Sequence, residues 1–262
     1  IVGEENFDSG QLMLSQKHTM GYLEQMPQFG EEVTLLDAVL EMFSDIFVLR
    51  DELRAMEMAM SEAQRTAHDI AANQAMPWGK IDGSTVVITG ATGLIGSQVV
   101  RTLIERTNNF HGSIKLILPV RNVIKAEMMF GRSDSIYYVP WKIGDSFSDA
   151  VKGDYFIHAA CPTSSTAFLH SPIEVISDIV DSAHAVINLL STSSFRQCVC
   201  LSTMEVYGSV EGRVDERMNG ALDTMNPRSS YPEAKRLSEC LFASASSELG
   251  VPISVVRLAQ TF

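Results

Sequence analysis

Two side chains have the types and the spacing of an acid–base pair. Tyr231 and Lys235 are four residues apart, so they share one face if the segment is helical. Pro232 suits the first turn of such a helix. A lysine ammonium beside a phenol lowers the pKa of the phenol, which prepares it to take a proton from a hydroxyl group. The spacing alone also fits an ordinary amphipathic pair, which is the alternative.

A glycine-rich segment upstream has the spacing of a phosphate-binding turn. Residues 90–96 read GATGLIG, directly after an apolar run and directly before a helical stretch. In such a turn the first glycine allows a sharp reversal, the second lets the backbone approach a pyrophosphate, and the third lets the helix pack closely on the sheet. We therefore predict dinucleotide binding; a glycine-rich turn without a ligand is the alternative. The predicted contacts are Gly90, Thr92, Gly93, Leu94, Ile95 and Gly96.

The residues after the second and third predicted strands bear on the choice of dinucleotide. An acidic residue after the second strand would hold the ribose hydroxyl of NAD, but the chain has Arg121 followed by Asn122. A guanidinium suits the 2′-phosphate of NADP. The predicted cofactor is NAD or NADP, with Arg121 favouring NADP unless it stacks on adenine or is solvated. Asp145 is a candidate to bind the adenine amine or, alternatively, to cap a helix.

The elements that must position these residues begin near residue 81. Six short apolar runs predict strands at residues 84–89, 114–120, 135–139, 155–159, 198–202 and 253–258. Helical stretches lie between them at residues 94–105, 123–130, 173–190 and 231–249. Continuous apolar strands separated by helices indicate a parallel sheet covered on both faces. The predicted fold class is therefore α/β, a Rossmann-type doubly wound parallel sheet over residues 81–262.

A long helical extension is predicted to precede this domain, over residues 1–80. Residues 31–76 contain no Gly or Pro. Between residues 35 and 70, apolar residues recur at alternating steps of four and three, as in a coiled-coil seam. The seam predicts either self-association into a homo-oligomer or a helix laid across the catalytic domain of the same chain.

Composition narrows the function classes. The chain has 262 residues, a net charge of −12 and 45% hydrophobic residues, which is ordinary for a globular protein. An acidic chain with no basic block is poorly suited to hold nucleic acid. No apolar run is long enough for a membrane span, and no secretory signal is visible, so we expect a cytoplasmic protein with free cysteines. The six histidines have no ligand spacing with the four cysteines, so no metal site is predicted.

Five segments together carry a resemblance to a known family. They are TGATGLIGS, IHAACPTSS, LSTMEVYGS, YPEAK and VVRLAQTF, in that order. Over residues 81–262 the chain resembles the extended short-chain dehydrogenase/reductases, the NAD-dependent epimerase/dehydratase family, and within it the nucleotide-sugar decarboxylases and 4,6-dehydratases. The resemblance implies a nucleotide-sugar substrate that is transiently oxidised at C4 by bound NAD or NADP. It covers none of residues 1–80, and we expect the family's C-terminal substrate lobe to be absent from this sequence.

The resemblance also assigns roles to residues. It makes Tyr231 and Lys235 catalytic and in contact with the cofactor, and Thr203 occupies the family's Ser/Thr position, where its hydroxyl would bond the substrate oxygen. Ala159 and Ala160 would line the cofactor site. Gln260 stands where the family usually has Asn. The substrate-binding candidates are Thr163, Ser164, Ser165 and Gln260.

Glu205 bears most directly on the reaction. Thr203 is followed by Met204 and Glu205, whereas the family's dehydratases have Asp-Glu there and its glucuronate decarboxylases have a small or polar residue before Glu. Met204 cannot donate a proton, which argues against dehydration and leaves decarboxylation of a UDP-glucuronate-type sugar or epimerisation. Glu205 is a catalytic candidate, as a general base or a charge beside C5, unless it sits in a buried salt bridge.

Two other functions stay open at this point. One is an NADP-dependent carbonyl reductase of the same fold, which Arg121 favours. The other is a non-catalytic, cofactor-binding interaction protein, with the long helix as its working part.

Overall fold

A six-stranded parallel sheet forms the centre of the protein. The computed structural model describes residues 44–162 and 165–259. The sheet belongs to a compact unit that begins at Met60. The strands are β1 Thr85–Thr89, β2 Lys115–Val120, β3 Ile136–Pro140, β4 Tyr155–His158, β5 Gln197–Thr203 and β6 Ile253–Leu258. Their order is β3-β2-β1-β4-β5-β6, and every neighbouring pair is parallel. The predicted Rossmann-type fold is confirmed.

Helices connect the strands, close to the predicted positions. They are α1 Ser44–Ala72, α2 Leu94–Asn109, α3 Val123–Phe130, α4 Ser165–His170, α5 Pro172–Thr192 and α6 Ser230–Leu249. The short helix α4 was not predicted, because its six residues are too few to show a helical period. Pro172 then begins α5 as a separate helix, since proline has no amide hydrogen to offer to a preceding turn but suits a first turn.

Strand β1 shows why the sheet needs a helical layer on each face. Val86 and Ile88 pack into the same buried cluster as Val100 of α2. Val87 belongs to a different cluster, together with Val186 of α5. Successive side chains of a strand point to opposite faces, so a continuous apolar run must be covered twice. Burying each of these large side chains contributes roughly 1.5–3 kcal/mol to folding.

The last turns of α1 pack against α2. Ala67 is buried, and Nδ1 of His68 lies 2.7 Å from the carboxylate of Glu105. This part of α1 therefore lies on the domain of its own chain, and both interpretations of the whole seam stay predictions. The start of the seam, residues 35–43, lies outside the described residues, and self-association stays a prediction.

A histidine is buried beneath the carboxyl edge of the sheet. His158 ends β4 and is 6% exposed. Its Nδ1 lies 2.8 Å from the hydroxyl of Thr89, and its Nε2 lies 3.2 Å from the hydroxyl of Ser182. Burial, and then the charge of Lys235, lower the pKa of His158 to about 3. The neutral ring therefore joins β1, β4 and α5 through two hydrogen bonds.

The folded protein should lose stability in mild acid because His158 resists protonation. The pKa of an unfolded histidine is about 6.5, so the stabilisation is complete above that pH and is lost as the pH falls towards 3. Between pH 7 and pH 5 we expect His158 to account for a loss of about 2 kcal/mol in the free energy of unfolding. Urea unfolding at both pH values measures the loss.

The substitution His158→Gln should remove this part of the pH dependence, whatever its effect at pH 7. His184 is exposed, so His184→Gln should keep the wild-type difference between the two pH values. If His158→Gln keeps it as well, the acid sensitivity has another origin.

Candidate active site

The candidate residues meet at the carboxyl edge of the sheet. In the strand order, β1 and β4 are neighbours although two strands separate them in the sequence. Open α/β sheets bind ligands in the crevice at such a switch point, outside the carboxyl ends of the strands. The chain leaves β1 at Gly90 and β4 at Ala159, on either side of this crevice, and β5 ends at Thr203.

The glycine segment forms a tight turn that a larger side chain would disrupt. Gly90 has φ of 68°, and its carbonyl oxygen accepts from the amide of Gly93 at 2.9 Å. A Cβ on Gly90 would lie 2.5 Å from the carbonyl group of Ala159, and a Cβ on Gly96 would lie 2.2 Å from the carbonyl oxygen of Gly90. Since real Cβ contacts are never this short, both positions require glycine.

The start of α2 fits an anion. The helix is N-capped by Gly93, and no side chain among the described residues caps it. The first amides of a helix have no partner within the helix and carry its positive dipole end. Leu94, in this first turn, is 62% exposed, so the turn faces open space. The residues present therefore fit the pyrophosphate of a dinucleotide.

The predicted adenosine-side residues lie in exposed positions. Arg121 follows β2 and is exposed. Asn122 caps α3, because its Oδ1 accepts from the amide of Lys125 at 2.9 Å. Asp145 is exposed in a turn. No helix follows within residues 146–150, so the alternative that Asp145 caps a helix is wrong.

Tyr231 lies in the first turn of α6 and is partly buried against Phe168 and Cys161. The pKa of Tyr231 is raised to about 12, mainly by burial and then by the neighbouring Cys161. A hydrogen bond with Thr203 lowers the pKa of the phenol, and so does the charge of Arg228. The phenol is therefore neutral at physiological pH in the protein by itself.

The other two candidates of the acid–base group lie on strand β5 or contact it. Lys235 is 6% exposed, and its Nζ donates to the carbonyl oxygen of Leu201 in β5 at 2.7 Å. The hydroxyl of Thr203 accepts from the amide of Glu205 at 3.2 Å and so begins the 3₁₀ turn Met204–Tyr207. The structure thus brings all four predicted catalytic residues to the end of β5.

Glu205 forms an ion pair with a residue that the sequence did not single out. Nη2 of Arg228 lies 2.9 Å from one carboxylate oxygen of Glu205 and 3.1 Å from the other. The side chains are 36% and 40% exposed for Glu205 and Arg228, so the pair is half-exposed rather than buried. The sequence offered one signal that Arg228 belongs to the site: it lies three residues before Tyr231, in the turn that leads into α6.

A second ion pair connects β6 to α6 beside the end of β5. The guanidinium of Arg257 donates to the carboxylate of Glu239 at 2.7 Å, and Ser202 donates to the same carboxylate. This hydrogen bonding raises the pKa of Arg257, which stays charged. Strands β5 and β6 are therefore tied to α6 directly beside Thr203.

Several predicted contacts lie outside the described residues. Thr163, Ser164 and Gln260 are among them, and so is the side chain of Ser165, which begins α4. The substrate-binding prediction therefore stays a prediction.

Three further observations concern the described residues alone. They contain no group of three His, Cys, Asp or Glu side chains arranged to hold a metal ion. None of their helices combines the length and the apolar character needed to cross a membrane. The sulfurs of Cys198 and Cys200 lie 3.6 Å apart as free thiols on one face of β5, as the sequence predicts.

The fold and the site define a Rossmann-type domain with a nucleotide-binding glycine turn, and comparison with known proteins gives the family. Residues 86–262 match the model of the NAD dependent epimerase/dehydratase family. The chain belongs to this family, as the resemblance predicted.

Individual relatives are more distant. UDP-glucuronic acid decarboxylase 1 of Arabidopsis thaliana is 26% identical over 185 residues, which cover 68% of this chain and 40% of the relative. The Danio rerio protein of the same name is 24% identical over 225 residues, covering 82% and 48%. The chain thus spans about half the length of the relatives it matches, or less.

Solved structures share the fold. The UDP-glucuronic acid 4-epimerase of Bacillus cereus, in complex with UDP-glucuronic acid and NAD, superposes with a TM-score of 0.54 at 16% identity, covering 66% of this chain and 55% of that one. A UDP-N-acetylglucosamine 4-epimerase of Methanobrevibacter ruminantium gives 0.56 at 20% identity, covering 67% and 55%.

Replacing Gly90 by alanine should abolish dinucleotide binding. The new Cβ would meet the backbone of Ala159, which cannot move without shifting β4. Gly212 also has positive φ, but no atom lies within 4 Å of its Cβ position, so Gly212→Ala supplies the control for backbone strain of about 1–2 kcal/mol. Dinucleotide titration and thermal unfolding should show the control binding normally, whereas Gly90→Ala neither binds nor keeps its stability. Equal effects of the two substitutions would contradict the close-approach argument.

Proposed function

We propose that the protein oxidises a nucleotide sugar transiently at C4 and decarboxylates a UDP-glucuronate-type substrate. The observation that carries this is the cluster at the end of β5: the phenol of Tyr231, whose pKa the neighbouring Thr203 lowers, and the carboxylate of Glu205 in the short turn that follows Thr203. Met204, which is 48% exposed, occupies the position between them. Its thioether has no proton to give to a leaving hydroxyl, which favours decarboxylation or epimerisation over loss of water.

The residues divide the first step between them. Thr203 holds O4 of the sugar by its hydroxyl, and Tyr231 takes the proton from O4. A bound dinucleotide would supply the acceptor for the hydride of C4 and the hydride for the later reduction of the C4 ketone. The product of this step is a C4 ketone, which withdraws electrons from the neighbouring carbons.

The second step follows from the chemistry of a β-keto acid. With a ketone at C4 and a carboxylate at C6, the C5–C6 bond breaks, carbon dioxide leaves, and its bonding electrons form an enolate over C5 and O4. Protonation of C5 by water restores the C4 ketone. Return of the hydride to C4, with Tyr231 returning its proton to O4, would then complete the product. Glu205, as a base or a steering charge, governs protonation beside C5.

Tyr231 needs help to act as a base, because a phenol of pKa about 12 holds its proton at neutral pH. Lys235 is one helical turn away on the same face, and its ammonium is anchored on Leu201. We propose that Lys235 exchanges this carbonyl for the nicotinamide ribose and lowers the pKa of the phenol in the loaded enzyme.

The test is a product-mass assay on the full-length protein with a panel of nucleotide sugars that includes UDP-glucuronate, without added cofactor. We expect loss of carbon dioxide. Tyr231→Phe should lower the rate by about 10²–10⁴-fold, because acid–base transfer is removed. Tyr137 is 51% exposed on β3, so Tyr137→Phe should keep the wild-type rate, and Glu205→Gln should slow decarboxylation while C4 oxidation persists.

Other products would change the conclusion. Loss of water would identify a dehydratase with a different acid. An unchanged mass with altered sugar configuration would identify an epimerase. No reaction with any sugar, together with NADPH consumption by a simple carbonyl compound, would identify a reductase.

We also propose that the dinucleotide is NADP rather than NAD, on the strength of the exposed guanidinium of Arg121 after β2. Arg121→Ser should weaken NADP binding by about tenfold or more, since a charged hydrogen bond is lost, and leave NAD binding within about twofold. Lys125 is exposed in the first turn of α3, so Lys125→Ser controls for a general loss of positive charge. Wild-type preference for NAD, unaffected by Arg121→Ser, would overturn the NADP assignment.

A further inference from the structure

We infer that Arg228 selects substrates that carry a carboxylate next to the reacting carbon. This inference rests on the proposed C4 oxidation and names the substituent that the site distinguishes. Arg228 is the residue through which the sugar's charge is recognised, with Glu205 as its partner in the free protein.

The backbone of Arg228 is held rigidly. Its amide donates to Oδ1 of Asn226 at 3.0 Å, which caps the 3₁₀ turn Pro227–Ser229. The hydroxyl of Ser229 donates to the carbonyl oxygen of Asp223 at 2.7 Å. This turn continues directly into α6, so the same backbone positions Arg228 and Tyr231.

Phe168 links the guanidinium to the phenol. The carbon at the centre of the guanidinium lies 5.2 Å from the centroid of the Phe168 ring. The ring of Phe168 is 5% exposed and stacks on the ring of Tyr231, with centroids 4.3 Å apart and an angle of 17° between the planes. A cation over an aromatic face is attracted to it, so the contact holds the positive charge one ring away from the base.

The ion pair with Glu205 leaves much of the guanidinium for a ligand. Both bonds to the carboxylate come from Nη2, so Nε and Nη1 lie outside the pair. A half-exposed pair of this kind adds little to stability. A second carboxylate can therefore bind Arg228 beside Glu205 or displace it at small cost.

The geometry of a sugar acid matches this arrangement. The C6 carboxylate is attached to C5, the neighbour of C4, so it must lie close to the group that deprotonates O4. The planar guanidinium binds a carboxylate through two parallel hydrogen bonds. A sugar with an uncharged CH₂OH group offers no such partner. Once carbon dioxide has left, the product also lacks it, and Arg228 returns to Glu205.

The test compares two ligands that differ only at C6. Isothermal titration of the full-length protein, loaded with reduced dinucleotide so that C4 is not oxidised during the measurement, gives the Kd of UDP-glucuronate and of UDP-glucose. Arg228→Gln should weaken UDP-glucuronate by about 10- to 150-fold, the range for one hydrogen bond to a charged group, and leave UDP-glucose within about twofold. Arg213 is exposed, so Arg213→Gln is the matched control and should leave both constants unchanged.

Two more variants separate recognition from support. Arg228→Lys keeps the charge over Phe168 but loses the planar fork, so it should fold and still lose affinity for UDP-glucuronate. Glu205→Gln removes the competing carboxylate, so it should bind UDP-glucuronate at least as tightly as the wild type while turning it over more slowly. If Arg228 only supported the structure, removal of its partner by Glu205→Gln would not leave the affinity for UDP-glucuronate intact while the rate falls.

The outcomes are distinct. Equal losses for both sugars in Arg228→Gln and Arg228→Lys would mean that Arg228 only supports Phe168 and Tyr231, and would overturn the inference. Wild-type protein that binds both sugars equally and oxidises both would overturn it while leaving the proposed function intact. Wild-type protein that binds neither sugar would overturn the proposed function, and the inference with it.

Discussion

The contact between the backbones of Gly90 and Ala159 is the constraint on which the rest of the site depends. Parallel pairing of β1 and β4 brings these two chain segments together at the point where the connections run in opposite directions. The approach is too close for any Cβ on Gly90. The contact closes the glycine turn and points the start of α2 at the crevice. It also fixes where the chain leaves β4.

Hydrogen bonds among buried polar groups at the ends of β1 and β4 hold this contact in place. The hydroxyl of Thr89 bonds the ring of His158 and also accepts from the amide of Ala160 at 3.4 Å. The ring continues to Ser182 in α5. Because every partner in this chain of hydrogen bonds is a neutral group, the chain orients the backbone without adding a charge to the interior, and acid weakens it by forcing a charge onto His158.

Electrostatics on the other side of the crevice centre on Tyr231. Burial favours the neutral phenol, Glu205 opposes ionisation, and Arg228 and Thr203 favour it. The protein by itself therefore holds the base in its protonated form. In the proposed mechanism, Lys235 and Arg228 shift the phenol towards its ionised form. Lys235 is bound to the carbonyl oxygen of Leu201 and Arg228 to Glu205, and a bound ligand would replace these partners.

Local pattern was enough to predict much of the fold. Continuous apolar runs identified the six strands within one residue at every end, because a doubly covered strand must be apolar throughout. Glycine spacing identified the phosphate turn, since positive φ and close approach exclude other residues at Gly90. The short helix α4 was not predicted because its six residues are too few to show a helical period.

Only the tertiary structure decided the electrostatics of the site. Arg228 and Glu205 are 23 residues apart in the chain, and nothing in either segment indicates that they pair. The same holds for Phe168, which reaches Tyr231 from a helix that the sequence did not predict. The sequence by itself determined which backbone was needed, because backbone conformation depends on neighbouring residue types. The partners of each charge depend on which distant segments the sheet brings together, and that required the folded chain.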